Sequence, residues 1–396
     1  MTELQAEYDV VIVGGAVMGS SVAHFLTSNP DFDGSVLVVE RDPSYQRSST
    51  TLSGSAIRHQ FSNEINVKIS QFGSEFIKSF ADHCSVDGEA PDLSFHENGY
   101  LFLIDEERKD TLVANWNTQT SLGSDISLLT PERIAQRWPW INTDGIAAGS
   151  LGETGEGWFD SYGLMQGFRQ KARSNGAVYA TDEVVGLVRD HDRIDAVRLA
   201  SGATVRCRTL VNAAGPRARL VCAMAGLDVP VVPRKRYMFV FDSRTRLPDP
   251  APAVIDPTGL FVRPEGQFYL CTLEPQPDPD ADFDDFTVWR DQFEEIIWPL
   301  LAQRIPAFEA VKVVNSWCGH YAFNTLDHNA VVGPHTEVEN FLFCNGFSGH
   351  GLQQSPAVGR AISELITYGR YETLDLAPLG YRRIETGTPF LETLVI

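Results

Sequence analysis

The chain reads as an α/β fold in which a doubly wound parallel sheet is joined to a second body of antiparallel strands and helices. Three observations predict it. A short apolar run, Asp9-Val-Val-Ile-Val13, enters a glycine-rich turn, a helical pattern covers residues 20–28, and a second apolar run at 36–39 ends in Glu40. This is a β-α-β unit whose strands are apolar enough to be covered on both faces of a parallel sheet. Far downstream, Leu210-Val-Asn-Ala-Ala-Gly215 is another buried-strand pattern ending in small residues, as expected of a strand that rejoins the same sheet. Between about 227 and 320 the pattern turns antiparallel, with strands at 237–242, 259–263 and 267–273 separated by turns.

The remaining elements follow in order. Ile65, Ile69, Phe72, Phe76 and Phe80 recur at helical spacing over residues 63–80. A strand is expected at 99–104, a short helix at 131–137 and a helix at 163–173, stopped by Asn175-Gly176. Strands at 183–188 and 194–199 precede the late return strand, and near the C-terminus a strand at 341–345 leads to a helix at 353–368. Two proline-rich stretches, 248–252 and the acidic 275–282, read as surface loops.

Length and composition bound the function. The 396 residues suffice for two or three domains, and 43% hydrophobic with 21% charged residues excludes disorder and a coiled-coil rod. With 52 acidic against 32 basic residues the net charge is −20, which repels nucleic acid and anionic membrane surfaces. No apolar run reaches the length of a membrane span, and the opening MTELQAEYD lacks the basic and apolar regions of a signal peptide, so a cytoplasmic location is expected. The six scattered cysteines form no C-x-x-C pair and no metal-ligand spacing; they read as reduced, packing thiols, and no metal is expected.

Gly14-Gly15-Ala16-Val17-Met18-Gly19 fits the dinucleotide fingerprint G-x-G-x-x-G with alanine at the second glycine. Gly14 permits the tight turn out of the strand, the second position lets backbone approach a pyrophosphate, and Gly19 allows close helix-strand packing. Such a turn is weak alone. Here it follows an apolar strand, opens a helix, and is followed by Glu40 where a ribose-binding acid belongs. The return strand ending at Ala214 and Gly215 favours FAD over NAD, which makes the parallel body a Rossmann-like FAD-binding domain.

Together with Gly346-Phe-Ser-Gly-His-Gly351, these motifs resemble the FAD-dependent amino-acid and amine oxidoreductases, the group of D-amino-acid oxidase, sarcosine oxidase and dimethylglycine dehydrogenase. Within it, residues 319–334, 346–359 and 373–375 are most similar to the FAD-dependent oxidoreductase-domain branch related to a complex I assembly flavoprotein. The resemblance implies an FAD-binding domain from 6–83, 151–226 and 321–396, and an interleaved substrate domain from 84–150 and 227–320. It places Arg41 near the adenosine, Ser48, Ser49, Thr50 and Leu52 along the pyrophosphate and flavin, and the Val185 backbone at the adenine. Gly346, Phe347, Ser348, Gly349, His350, Gly351, Leu352 and Gln353 lie by the flavin pyrimidine ring. There a glycine-rich turn opening a helix aims N–H groups at the ring edge that gains negative charge on reduction.

The same resemblance implies oxidation of a C–N bond in a secondary amine or N-substituted amino acid, by hydride transfer to flavin N5, to an imine that water hydrolyses. Oxygen or another electron acceptor completes the cycle; a dehydrogenase serving a quinone or electron-transfer flavoprotein, and a flavin-binding assembly protein with little catalysis, are the alternatives. Arg58 matches a carboxylate-binding arginine. A lysine anchor of the family is replaced by Gln353 and an arginine anchor by Tyr321, with Arg263 as a candidate replacement. His320, His350 and His59 are candidates to line the flavin. Arg234-Lys235-Arg236 reads as a salt-bridged surface strand. Where sarcosine oxidase carries its flavin-linked cysteine this chain has His320, with Cys318 two residues earlier, so FAD is expected to be held without a covalent bond.

Overall fold

A computed structural model describes residues 4–393; of the segment assigned to FAD at 321–396, residues 394–396 lie outside the described residues. Strand β1 (Glu7–Val13), helix α1 (Val17–Ser28) and strand β2 (Val36–Glu40) form the expected β-α-β unit. β1 pairs in parallel with β2 on one side and with strand Thr204–Asn212 on the other. Strand Phe341–Asn345 joins Thr204–Asn212 in parallel, Val178–Thr181 joins β2 in parallel, and Val331–Pro334 closes the edge antiparallel. A hairpin of Val184–Asp190 and Arg193–Leu199 completes this eight-stranded sheet.

The central strands, β1 from Val10 on, β2 and Phe341–Asn345, are largely apolar because both faces are covered. Val10 and Ile12 pack on one side with Val22, Leu26 and Ile362 of α1 and helix Gly351–Tyr368; Val11 and Val13 pack on the other with Leu210 and Val221.

The second sheet also has eight strands, in the order 311–324, 231–243, 268–272, 261–265, 253–255, 100–104, 148–152 and 126–129. It is antiparallel except where 253–255 runs parallel to 100–104. Alternation divides it into two faces. Tyr237, Phe239, Phe241 and Cys318 pack against Phe293, Ile297 and Leu301. Met238, Val240, Tyr100, Phe102 and Phe261 lie on the other face with Trp158. This second face bears the candidate site.

Some elements differ from expectation. α1 begins at Val17 and the later helix at Gly351, each a few residues before the expected start, because the glycine turns run directly into the helices. Helix Lys109–Ser121 was not foreseen: of its residues only Leu112, Asn115 and Gln119 are buried, so it shows no apolar stripe. Strands Ala148–Gly152 and Val311–Asn324 run through positions 150 and 320, so divisions placed there cut continuous strands. The acidic stretch 275–282 is no free loop, since Asp280 bridges to Arg234 and Asp278 pairs with Arg236. Among the described residues no helix is long and apolar enough to cross a membrane.

Candidate active site

The turn after β1 has no room for side chains. Gly14 sits at φ +98, where a Cβ would stand 2.5 Å from the Ala213 carbonyl oxygen, and a Cβ on Gly19 would stand 1.9 Å from the Gly14 oxygen. The Gly15 N–H donates to Glu40 Oε2 at 2.8 Å and the Asp42 N–H to Oε1 at 2.8 Å. Burial pushes the Glu40 carboxyl up, while these two donors pull it back. Each carboxylate oxygen keeps a lone pair beyond these two bonds. α1 starts at Ala16, Val17 and Met18 with no cap from its own N-cap residue and no acid in its first turn; Thr50 takes the Val17 N–H, and the other donors at the dipole end stay open to an anion.

Residues 48–52 lie between this helix end and the strand Val311–Asn324. Thr50 Oγ1 accepts the Val17 N–H at 3.3 Å, Ser49 Oγ donates to the His320 carbonyl at 2.6 Å, and the Leu52 carbonyl accepts Trp317 Nε1 at 3.0 Å. Ser48 Oγ accepts the Thr51 N–H at 3.1 Å and so holds the turn together.

At the other end Arg41 pairs with Glu183 at 3.4 Å on the surface. The neighbouring hairpin pairs Val184 with Leu199 and Gly186 with Arg198, so Val185 is stepped over in a bulge that frees its backbone. Beside the turn, Ala214 leads into Gly215, at φ +56 with open space where a Cβ would be. Uncapped donors, a buried carboxylate and a bulged strand thus fit an extended dinucleotide.

The Gly346 turn is equally constrained. Gly346, Ser348 and Gly349 have φ of 69°, 48° and 95°. The Ser348 N–H donates to the Ala322 carbonyl at 3.0 Å, Ser348 Oγ accepts the Asn324 N–H at 3.0 Å, and the Phe347 carbonyl accepts the His350 N–H at 2.9 Å. A Cβ on Gly349 would stand 2.5 Å from the Tyr321 ring. No side chain caps the helix that opens at Gly351 and Leu352, so its first N–H groups are available to a ligand.

Arg58 follows the short strand Ala56–Ile57 and is buried. Its backbone N–H donates to Gln353 Oε1 at 2.9 Å, its Nε donates to the Gln60 carbonyl at 3.2 Å, and its Nη2 lies 3.1 Å from His350 Nε2. An arginine only donates, so His350 Nε2 is the acceptor and the neutral ring carries its proton on Nδ1. Burial, and then the Arg58 charge, hold His350 well below the usual histidine range. With that lone pair committed, His350 serves to orient Arg58 rather than to take a substrate proton.

The guanidinium stands 4.6 Å above the Phe61 ring, 5.6 Å from Phe102 and 5.9 Å from Tyr100. Tyr321 presents its ring to Arg236 at 4.9 Å. Burial raises the phenols of both Tyr100 and Tyr321; Arg58 pulls Tyr100 back, and Arg236 and then Arg58 pull Tyr321 back. Neither hydroxyl bonds to another described residue, which leaves two donors beside a buried cation.

Other candidates have their polar atoms engaged elsewhere, although Arg263 shares the face of Tyr100 and lies 5.4 Å from the Trp158 ring. Strand alternation sends His320 to the face opposite Tyr321, where its Nε2 lies 2.9 Å from the Asp285 carbonyl and its ring stacks on Phe286 at 4.3 Å. Cys318 shares that face, within the core, and burial pushes its thiol up to about 11. Arg263 is consumed as a clamp: it donates to the Gly54 carbonyl at 3.1 and 3.0 Å and to the Pro264 carbonyl at 2.8 Å, and pairs with Glu265 at 2.5 Å. His59 bonds Ser74 at 2.8 Å, and burial pushes it down to about 4, the state of a neutral packing residue.

Arg236 is buried against Asp278 at 2.9 Å, not solvated, because the acidic stretch folds over it. Sequence reasoning also missed Gln60, Tyr100 and Glu156. For Glu156 the run Gly152-Glu-Thr-Gly-Glu-Gly157 was a usable signal, since clustered glycines make room for something.

Comparison with known proteins places this geometry. The model of the family described as FAD dependent oxidoreductase matches residues 9–365. FAD-dependent oxidoreductase domain-containing protein 1 of Xenopus laevis is 39% identical, covering 98% of this chain and 85% of that protein. Mitochondrial dimethylglycine dehydrogenase of Mus musculus is 26% identical over 96% of this chain and 44% of its own. The crystal structure of L-proline dehydrogenase from P. horikoshii superimposes with a TM-score of 0.84 at 27% identity, covering 97% of this chain and 99% of that one. The chain belongs to the FAD-dependent oxidoreductase family.

Proposed function

We propose that this oxidoreductase acts on the C–N bond of a secondary amine or N-substituted amino acid, giving an imine that water hydrolyses. The carrying observation is Arg58: a buried guanidinium held by His350 and flanked by the hydroxyls of Tyr100 and Tyr321, beside the Gly346 turn. Such a group binds a carboxylate strongly, because the donors are already ordered and dry. Proline and dimethylglycine, for which two similar proteins are named, both carry a substituted nitrogen on the carbon bearing the carboxylate. Bound FAD supplies the two-electron acceptor. The chain's part is to fix the carboxylate at Arg58, wall the substituents with Phe61, Phe102 and Met238, and exclude water.

The first sheet is assigned to FAD and the second to substrate, with the divisions moved off positions 150 and 320 to the ends of the strands that cross them. The six buried free thiols support a reducing setting, in keeping with a cytoplasmic location.

Anaerobic addition of N-methyl, N-carboxymethyl and cyclic amino acids to the yellow protein should bleach the flavin with at least one of them. Oxygen uptake, compared with reduction of a quinone or dye, then identifies the acceptor. Flavin that stays oxidised across the panel would favour an assembly role.

FAD is also expected to leave with denaturation, because Cys318 and His320 both lie on the strand face away from Gly319 and Tyr321. Acid precipitation should put all the yellow colour in the supernatant. Colour in the pellet, or an intact mass raised by one FAD, would overturn this assignment.

A further inference from the structure

Glu156 is fully buried and lies in none of the roles above. Its pocket is built by missing side chains: a Cβ on Gly152 would stand 2.0 Å from the Glu156 carboxyl carbon, and a Cβ on Gly155 would stand 2.5 Å from the His59 ring. Oε1 accepts the His59 N–H at 2.8 Å and Oε2 accepts Gln60 Nε2 at 2.8 Å. Gln60 Nε2 also donates to the Tyr100 carbonyl at 2.8 Å, and Gln60 Oε1 accepts the Ser150 hydroxyl. The carboxyl therefore grips the two residues that follow Arg58, and Arg58 Nε is itself bonded to Gln60. Its own main-chain carbonyl is fixed by the Gly99 N–H at 3.1 Å.

We propose that Glu156 acts through Arg58 as a positioning residue and counter-charge, and takes up a proton from solvent when a carboxylate settles on that guanidinium. This rests on the reading of Arg58 as the carboxylate anchor. A ligand carboxylate on Arg58 adds a negative charge to the dry space that already holds the Glu156 carboxylate, and protonating Glu156 removes one of the two. The proton adds to a carboxylate oxygen and no other bond changes.

The groups that face Glu156 permit this. Burial pushes its carboxyl up to about 7, opposed in turn by Gln60, the His59 N–H and Arg58. From the helix Glu64–Lys78, the Ser74 hydroxyl bonds the His59 ring, which stays neutral, and the Gln71 carbonyl, and Lys78 pairs with Glu97 at 2.6 Å. Tyr100, from the neighbouring strand, stays a neutral phenol. A carboxyl titrating near neutrality is ionised at pH 8 in the empty site, so binding there should draw in a proton, whereas near pH 5 the proton is already present.

The test uses the flavin-loaded protein and benzoate, with calorimetry at pH 8 in two buffers of different ionisation enthalpy. Wild type should take up about 0.5–1 proton per benzoate, falling toward zero near pH 5, and Glu156→Gln should bind with no uptake. No uptake in wild type, or equal uptake in Glu156→Gln, overturns the proposal. If Glu156→Gln yields no folded protein, the pH course of uptake in wild type decides alone. Failure of wild type to bind benzoate, or unchanged affinity in Arg58→Ala, sinks the anchor reading instead and with it this extension.

Discussion

Gly14→Val should give colourless or insoluble protein. Valine at φ +98 pays the left-handed penalty at its steepest, since β-branched residues tolerate that region least, and the penalty is about 1–2 kcal/mol even for an ordinary residue. The larger effect is steric. The new Cβ would fall 2.5 Å from the Ala213 carbonyl, at the end of the strand next to β1, so the two strands must separate where the turn sits. The obstruction is therefore the protein's own backbone before any pyrophosphate arrives. The ratio of flavin to protein absorbance after purification reads the result, and full flavin occupancy in the variant would mean that the turn had been misassigned.

That turn was legible from sequence because its code is local: apolar strand, glycines, helix and terminal acid follow one another within one β-α-β unit. The Gly346 turn was legible for the same reason. Parity along a strand is also local, and it put Cys318 and His320 on one face; which face looks toward Leu52 and the glycine turns is set by what packs on the sheet. Phe286 and Asp285, brought over by the acidic stretch, claim His320, and Gly349 claims Tyr321.

This stretch and the residues after it convert the basic strand from a free row into ion pairs, Arg236 buried against Asp278 and Lys235 against the exposed Asp285 at 2.6 Å. Acid and base there lie some forty residues apart, beyond any periodic pattern. Glu156 was hidden for the same cause. Its partners precede it by nearly a hundred residues, and a glutamate beside glycines reads as a turn until the residues after Arg58 fold against it.

Arg58→Ala should lower kcat/KM for a carboxylate-bearing substrate by about 2–4 kcal/mol, or roughly 30- to 1000-fold, with FAD content near normal. The magnitude follows from where the charge sits. The guanidinium is buried above Phe61 and anchored to Gln60 and His350, so a carboxylate entering there loses its water and needs a partner already in place. Alanine leaves that carboxylate unpaired in a dry aromatic pocket, and the Tyr100 and Tyr321 hydroxyls offer dipoles but no charge.

FAD should be retained because the turn at the pyrophosphate end is held by other residues, Gly15 on Glu40 and Val17 on Thr50. Arg58→Lys should recover only part of the loss, since an ammonium cannot reproduce the fork that meets the ligand, Gln60 and His350 together. An amine lacking the carboxylate, oxidised more slowly by wild type, should lose little further in Arg58→Ala. That contrast separates an anchor from a general structural role: equal losses with both substrates, or unchanged kinetics with the carboxylate-bearing one, would remove Arg58 from the binding site.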